Sequence, residues 1–205
     1  MAASLFVHPA DDAADLTVLG TALAACRACP AMHPPPIAAV RAGQRALIIG
    51  QAPGIHEPIL GRPFAAAAGR RLRGWFAAYG LDDDDRFRAT FAMTAVAKCY
   101  PGRVPGGRGD RPPDRGELAR CAPWTAAQVR LLDPRVLVPV GGMAIAATLG
   151  AAPLQDVIGR RFERDGRAVI PLPHPSGASA WPNLAANREL IAQAVALIAA
   201  ELWLP

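Results

Sequence analysis

The four cysteines of this chain fall as Cys26-x-x-Cys29, then Cys99, then Cys121. Two close thiols followed by two remote ones cannot close a metal site within one local segment, so a folded domain has to bring them together. The chain opens without an evident secretory signal, which points to a reducing, cytosolic compartment where stable disulfides are disfavoured. In such a setting clustered cysteines serve metal binding or redox chemistry. Four thiolates suit tetrahedral zinc and an iron–sulfur cluster alike.

A length of 205 residues fits one compact domain over 1–205, with 1–14 as a flexible N-terminus. Met1 to Ala14 carries Asp11 and Asp12 and lacks a basic flank, which argues against a targeting peptide. Although 52% of the residues are hydrophobic, no apolar run is long and clean enough to span a bilayer. Formal net charge is +5, carried almost wholly by arginine, with Lys98 the single lysine. That balance favours a polyanionic partner such as nucleic acid, though many basic proteins bind nothing anionic.

Periodicity and punctuation place the elements. Asp15–Ala28 reads as a helix running into the Cys26/Cys29 pair, and His33-Pro34-Pro35-Pro36 breaks regular structure. Arg45–Gly50 is an apolar run with the look of a buried parallel strand. Ala65–Tyr79 reads as a helix closed by Gly80, and the acidic run Asp82–Asp85 as a solvated turn. Phe91–Ala97, Arg135–Val140 and Ala168–Leu172 read as further strands, and Pro101–Pro113 as a loop. Helices are expected over Arg115–Leu132, capped by Asp114, from Gly142 to Leu149, and over Asn183–Leu202. Strands alternate with helices, so the predicted class is α/β: a three-layer α/β/α arrangement with a central, mostly parallel four-stranded sheet.

In such sheets the site lies beyond the carboxyl ends of the strands. Three loops leave those ends with distinctive chemistry: Gly50-Gln51-Ala52-Pro53-Gly54, Lys98-Cys99-Tyr100-Pro101-Gly102 and His174-Pro175-Ser176-Gly177. In the first, Pro53 fixes a torsion and Gly54 permits close approach, so backbone N–H groups are presented to a ligand. The pattern lacks the lysine of a phosphate loop, and an ordinary strand-to-helix turn would look similar. Phe64, in Gly61-Arg62-Pro63-Phe64, can stack on a flat base or serve as a core residue. His174, held between two prolines, can donate to a developing anion or stabilise one as imidazolium, and Ser176 can bind a phosphate or a base edge.

Taken in order, Gly50–Gly54, Gly61–Phe64 and His174–Gly177 resemble the motifs of the uracil-DNA glycosylase superfamily. The pattern Cys26/Cys29/Cys99/Cys121, with Thr94-Ala95-Val96-Ala97-Lys98 before the third cysteine, is similar to its iron–sulfur branch, families four and five. The resemblance covers nearly the whole chain. It implies a [4Fe-4S] cluster on the four cysteines, rather than zinc, with a structural role. It implies hydrolysis of the N-glycosidic bond of deoxyuridine in DNA, after the nucleotide is flipped into a pocket. Gly50, Gln51, Ala52, Pro53 and Gly54 would then meet uracil and place water, Phe64 would stack on the base, and His174 would stabilise charge at uracil O2. Ser176 and the segment through Trp181 would grip the DNA. Arg103, Arg108 and Arg111 are candidates for phosphate contacts on composition alone. The expected species is a monomer.

Two departures from the family pattern bear on the chemistry. Family four carries an acid where this chain has Gln51, and glutamine cannot take a proton from water as a carboxylate can. His56 and Glu57 lie just downstream as substitutes. Family four also has asparagine where this chain has Ala95, so the amide that reads the uracil edge is missing. A site without it rejects analogues less sharply, which extends the expected substrates to other deaminated bases such as hypoxanthine and xanthine. Two competing readings remain: a catalytically attenuated DNA- or uracil-binding protein of the same fold, and a zinc-containing α/β protein unrelated to repair.

Overall fold

Continuous apolar runs become strands covered on both faces. Ala46–Gly50 (β1), Phe91–Ala95 (β2) and Val136–Pro139 (β3) are buried along their full length, as parallel strands between two helical layers must be. The computed structural model describes residues 8–107, 109–177 and 180–203. Within these, Phe162–Arg164 (β4) and Arg167–Val169 (β5) complete a five-stranded sheet of order β2-β1-β3-β5-β4. The first four in that order run parallel and β4 is antiparallel to β5.

The sheet therefore has one strand more than the four expected. The added strand is the outer arm of a tight hairpin. Asp165 and Gly166 both take positive φ, 50° and 74°, as a two-residue turn with the right-handed twist of its strands requires. β4 spans three residues and is largely exposed, so it carries no apolar run to betray it.

The helices are Leu16–Ala24 (α1), Glu57–Leu60 (α2), Ala67–Gly74 (α3), Asp84–Thr90 (α4), Arg115–Leu132 (α5), Gly142–Leu149 (α6), Leu154–Val157 (α7) and Ala185–Trp203 (α8). Alternate strand residues point to opposite faces. Ala46, Ile48, Val136 and Val138 pack with Phe76, Phe87 and the Ile191, Val195 and Ile198 stripe of α8. Leu47, Ile49 and Leu137 face Leu132 of α5 and Ala144 of α6. Leu19 and Leu23 of α1 lie against Trp124 and Ala127 of α5. Phe76, Phe87 and Phe91 meet ring to ring at centroid separations of 4.6–5.6 Å. Each such buried ring contributes about 1.5–3 kcal/mol of apolar burial. The expected three layers are present.

Local chemistry sets the boundaries. Asp15 caps α1 by accepting from the backbone N–H groups of Thr17 and Val18, and α1 stops at Ala24, so Cys26–Cys29 lie beyond the helix rather than in it. Asp114 and Glu117 form a reciprocal capping box at the start of α5. The expected helix Ala65–Tyr79 is shorter and broken: α3 begins at Ala67 and yields at Gly74 to a 3-10 turn, Ala77–Tyr79. The acidic run is no solvated turn. Asp83 caps α4 through Arg86 N–H, and Asp84 opens the helix and binds Arg62, Arg73 and Arg88 at 2.7–3.0 Å. Burial works against the Asp84 carboxylate, but the guanidinium groups of Arg88, Arg73 and Arg62 hold it below the usual carboxylate range. No helix among the described residues is long and apolar enough to cross a membrane.

Candidate active site at the carboxyl edge of the sheet

β1 and β2 end in register, Gly50 opposite Ala95. Pairing continues past the strands, with Val96 N–H donating to Gly50 C=O and Ala97 N–H to Gln51 C=O at 2.9 and 3.0 Å. The backbone of the Gly50–Gly54 loop is thus fixed as it leaves the sheet. Glu57, only 9% exposed, accepts from Gly54 N–H through Oε2 at 2.7 Å and closes the loop from below. The loop walls a cavity of about 470 Å³. Ten residues singled out from the sequence for the flipped nucleotide line it, the five of the loop, His56, Phe64, Ala95, His174 and Ser176, whereas Arg103 and Trp181, expected at the DNA, do not.

Phe64 reaches this cavity through an unusual backbone. Its φ is 51°, a left-handed value rare outside glycine. Two contacts hold it there. Arg88, clamped by Asp84, donates to Pro63 C=O at 2.9 Å and to Phe64 C=O at 3.3 Å. On the other side Gly69 passes so close that a Cβ there would fall inside the van der Waals radius of the Phe64 carbonyl oxygen. The ring itself lies over Gly50, where a Cβ would meet Phe64 Cζ at 3.1 Å. Glycine at 50 and at 69 is required for this placement.

His174 lines the same cavity. Gly141, at φ 87°, makes room for it, since a Cβ there would lie 3.2 Å from His174 Cβ. The His174 Nδ1 accepts from Ser176 N–H at 3.2 Å, which leaves the ring proton of the neutral form on Nε2. Burial pushes the imidazole below its ordinary value of 6.5, so at neutral pH it is an uncharged donor. Arg71 ties this loop down, donating to Ser176 C=O at 3.5 Å and to the Asn183 side chain. Neither Arg71 nor Arg88 carries a sequence signal for such a brace, because each acts across a separation visible only in the fold. His56 begins α2 and its side chain is exposed.

The arginine assignments change. Arg111 grips Glu117 with both terminal nitrogens, at 2.5 and 2.8 Å, and donates to Ala31 C=O at 3.0 Å. Its ion pair anchors the loop to α5, and the same side chain lines the cleft, so it ties the loop at the edge of the cavity. The hydrogen bond from Arg111 holds Glu117 below the usual carboxylate range against the effect of burial. Arg103 is exposed. Arg108 lies outside the described residues, as do Ala178 and Ser179 of the segment expected to grip DNA.

Cys26, Cys29, Cys99 and Cys121 line one further cavity, of about 230 Å³. Among the described residues no three His, Cys, Asp or Glu side chains are grouped to hold a single metal ion. Lys98 N–H donates to Cys121 Sγ at 3.4 Å and Arg120 Nε to Cys29 Sγ at 3.5 Å. Such N–H···S bonds favour thiolates, and thiolate is the ligand form. Burial, followed by the neighbouring thiols Cys121, Cys26 and Cys29, pushes Cys99 up to about 12. Burial likewise raises Cys121. Cys99 and Cys121 thus resist ionisation until a bound cation offsets the burial, and four thiols around one cavity have the donor chemistry of a thiolate-ligated metal or cluster. The Lys98 ammonium is buried beside them, bonded to Ala95 C=O and the Thr125 hydroxyl, and burial brings it down to about 8.

A larger cavity, about 750 Å³, lies between α5 and α6, with Leu118, Ala122 and Val129 among its mostly apolar walls. None of the residues singled out from the sequence reaches it.

Comparison with known proteins accords with the cleft. The family model for the uracil DNA glycosylase superfamily matches residues 37–198. The chain is 33% identical over 120 residues to the Type-4 uracil-DNA glycosylase of Pyrobaculum aerophilum, covering 58% of this chain and 53% of that protein. It is 29% identical over 148 residues to the Type-4 uracil-DNA glycosylase of Sulfurisphaera tokodaii, covering 67% and 62%. A similar 29% over 135 residues relates it to that of Thermotoga maritima, covering 64% and 65%. The chain thus spans between 53% and 65% of the length of these relatives. Since the matched segment takes in the greater part of its length and every loop of the cleft, the chain belongs to the uracil DNA glycosylase superfamily.

Proposed function

We propose that the protein is a base-excision repair glycosylase that hydrolyses the N-glycosidic bond of deoxyuridine, flipped from DNA into the 470 Å³ cleft. One observation carries the reading: a neutral His174, whose Nδ1 is occupied by Ser176 N–H, lines one cavity with Phe64 and the Gly50–Gly54 backbone. As the C1′–N1 bond breaks, its electron pair moves into the uracil ring and charge builds on O2. A preset donor such as His174 Nε2–H is most effective there. Phe64 supplies a face for the base, and the Gly50–Gly54 backbone orients base and water. Ala95 offers the base edge no hydrogen bond, which extends the substrate range to other deaminated bases such as hypoxanthine. The partner is DNA, the acting species is a monomer, and residues 1–205 work as one domain.

In this reading the four cysteines hold a [4Fe-4S] cluster that cross-links the segment after α1, the end of β2 and α5. The relatives' Type-4 naming and the thiol-lined cavity support it. Acid-labile sulfide and iron in the purified protein, with brown visible absorption, distinguish it from colourless zinc.

The function is tested by incubating wild type and His174→Ala with single- and double-stranded DNA carrying uracil, hypoxanthine or xanthine. Abasic product from wild type, lost in the variant, is the expected result. Tight binding without any abasic product favours the second reading, an attenuated binder, which Gln51 in place of an acid supports.

A further inference from the structure

The cleft has two carboxylates among its described lining residues, Glu57 and Asp110. Glu57 is committed to Gly54 N–H and serves the loop. Asp110 differs in origin and in exposure. It comes from the Gly- and Pro-rich loop between β2 and α5, and it is exposed to solvent. Its Oδ1 accepts from the Tyr100 hydroxyl at 2.9 Å. Its Oδ2 lies beside Gly54 at the cleft wall, where a Cβ at position 54 would meet it at 3.5 Å.

The position of this carboxylate is set by the core, although it rides on a loop. Tyr100 is 8% exposed. Its carbonyl accepts from His33 N–H at 2.8 Å, and its ring lies 5.5 Å from that of His33. Arg111, next in sequence, is fastened to Glu117 and to Gly102 C=O. Asp110 is therefore held between two anchors, with one oxygen directed by a buried phenol.

We propose that Asp110 is the carboxylate that activates the attacking water, the role for which Gln51 lacks a basic oxygen. The inference rests on the function proposed above. Water oxygen forms a bond to C1′ while the C1′–N1 bond breaks and its electron pair leaves with uracil. The proton lost by water passes to Asp110 Oδ2 and on to solvent, and the uracil anion, held at O2 by His174, takes up a proton on release. Deoxyuridine and water become uracil and an abasic sugar. Before proton transfer a carboxylate in the cleft also favours the growing positive charge of the sugar.

The test measures single-turnover uracil release and, separately, binding of uracil-containing DNA. Asp110→Asn is expected to slow release by on the order of 10²-fold or more without weakening binding. Tyr100→Phe, which frees the carboxylate but keeps it, is expected to give a smaller loss, about 10-fold. Asp110→Ala is expected to recover part of its rate when formate is supplied, which no structural role would produce. Because Asp110 is exposed and Asn keeps an acceptor for the Tyr100 hydroxyl, thermal melting of Asp110→Asn should match wild type. Release by Asp110→Asn within about 2-fold of wild type overturns the inference and leaves the proposed function standing. A slow Asp110→Ala that formate does not rescue also overturns it. A wild-type protein that releases no uracil overturns the function, and this inference with it.

Discussion

At the scale of the residue, function turns on which atoms remain available once the fold has taken its share. Of the His174 nitrogens one is taken by Ser176 N–H, so the other becomes the donor. His174→Ala is expected to cut uracil release by on the order of 10²–10³-fold, the usual cost of losing one donor to a developing oxyanion, read in single-turnover assays. Its titration has a defined sign. Burial lowers the native value below 6.5, so the unfolded chain binds the proton first. The stability contributed above the unfolded value is lost as pH falls through the native one. Thermal melts between about pH 7 and about pH 5 should therefore show wild type falling more steeply than His174→Asn, and equal slopes would refute the assignment. Ala95→Asn returns an amide to the end of β2, beside Gly50. Competition between uracil and hypoxanthine should then shift toward uracil by about 10-fold or more, measured as a ratio of kcat/KM values. Gln51, Ala95 and His174 could be singled out in the sequence because each stands inside a short motif at a strand end. Asp110 could not, since it lies in a loop whose path depends on Tyr100 and Arg111.

At the scale of the element, the cleft depends on braces that connect distant parts of the chain. Phe64 keeps a left-handed backbone because Arg88 grips its carbonyl and Gly69 leaves room for it. Gly69→Ala forces α3 away from that carbonyl and is expected to cost about 1–3 kcal/mol in chemical denaturation, the range for overpacking. It should also raise KM by displacing the ring from above Gly50. A variant with wild-type stability and KM would show that the close approach is not needed. Arg88 draws its own position from Asp84. The acidic run thus has a task that its composition disguised: one of its members is a helix cap and another the centre of three ion pairs. Long elements with clear periodicity, such as α5 with its capping box and β1 with its apolar run, were legible from residue pattern. The hairpin strand β4 was not, because three largely exposed residues have no pattern to read, although the Asp165-Gly166 pair before β5 is itself a turn signal.

At the scale of the whole molecule, the thiol cavity and the cleft share one loop. Lys98 bonds to Cys121, Cys99 is one of the four thiols, Tyr100 holds Asp110, and Pro101 lines the cleft. A group bound by the four cysteines would stiffen that loop from behind. Cys99→Ser is expected to lose iron and to lower the melting temperature by on the order of 10 °C, since binding energy at such a site is folding energy. Unchanged iron content would place the group elsewhere. Residue order alone determined the α/β class, the thiol spacing and the three loops at the strand ends, because apolar periodicity, glycine, proline and cysteine act over a few residues. Only the tertiary structure decided that the ten candidate residues share one cavity and that Arg111 pairs with Glu117 at its edge. It also decided that a carboxylate stands beside Gly54 although position 51 has none. These are matters of distance between segments far apart in sequence, and distance is fixed by packing.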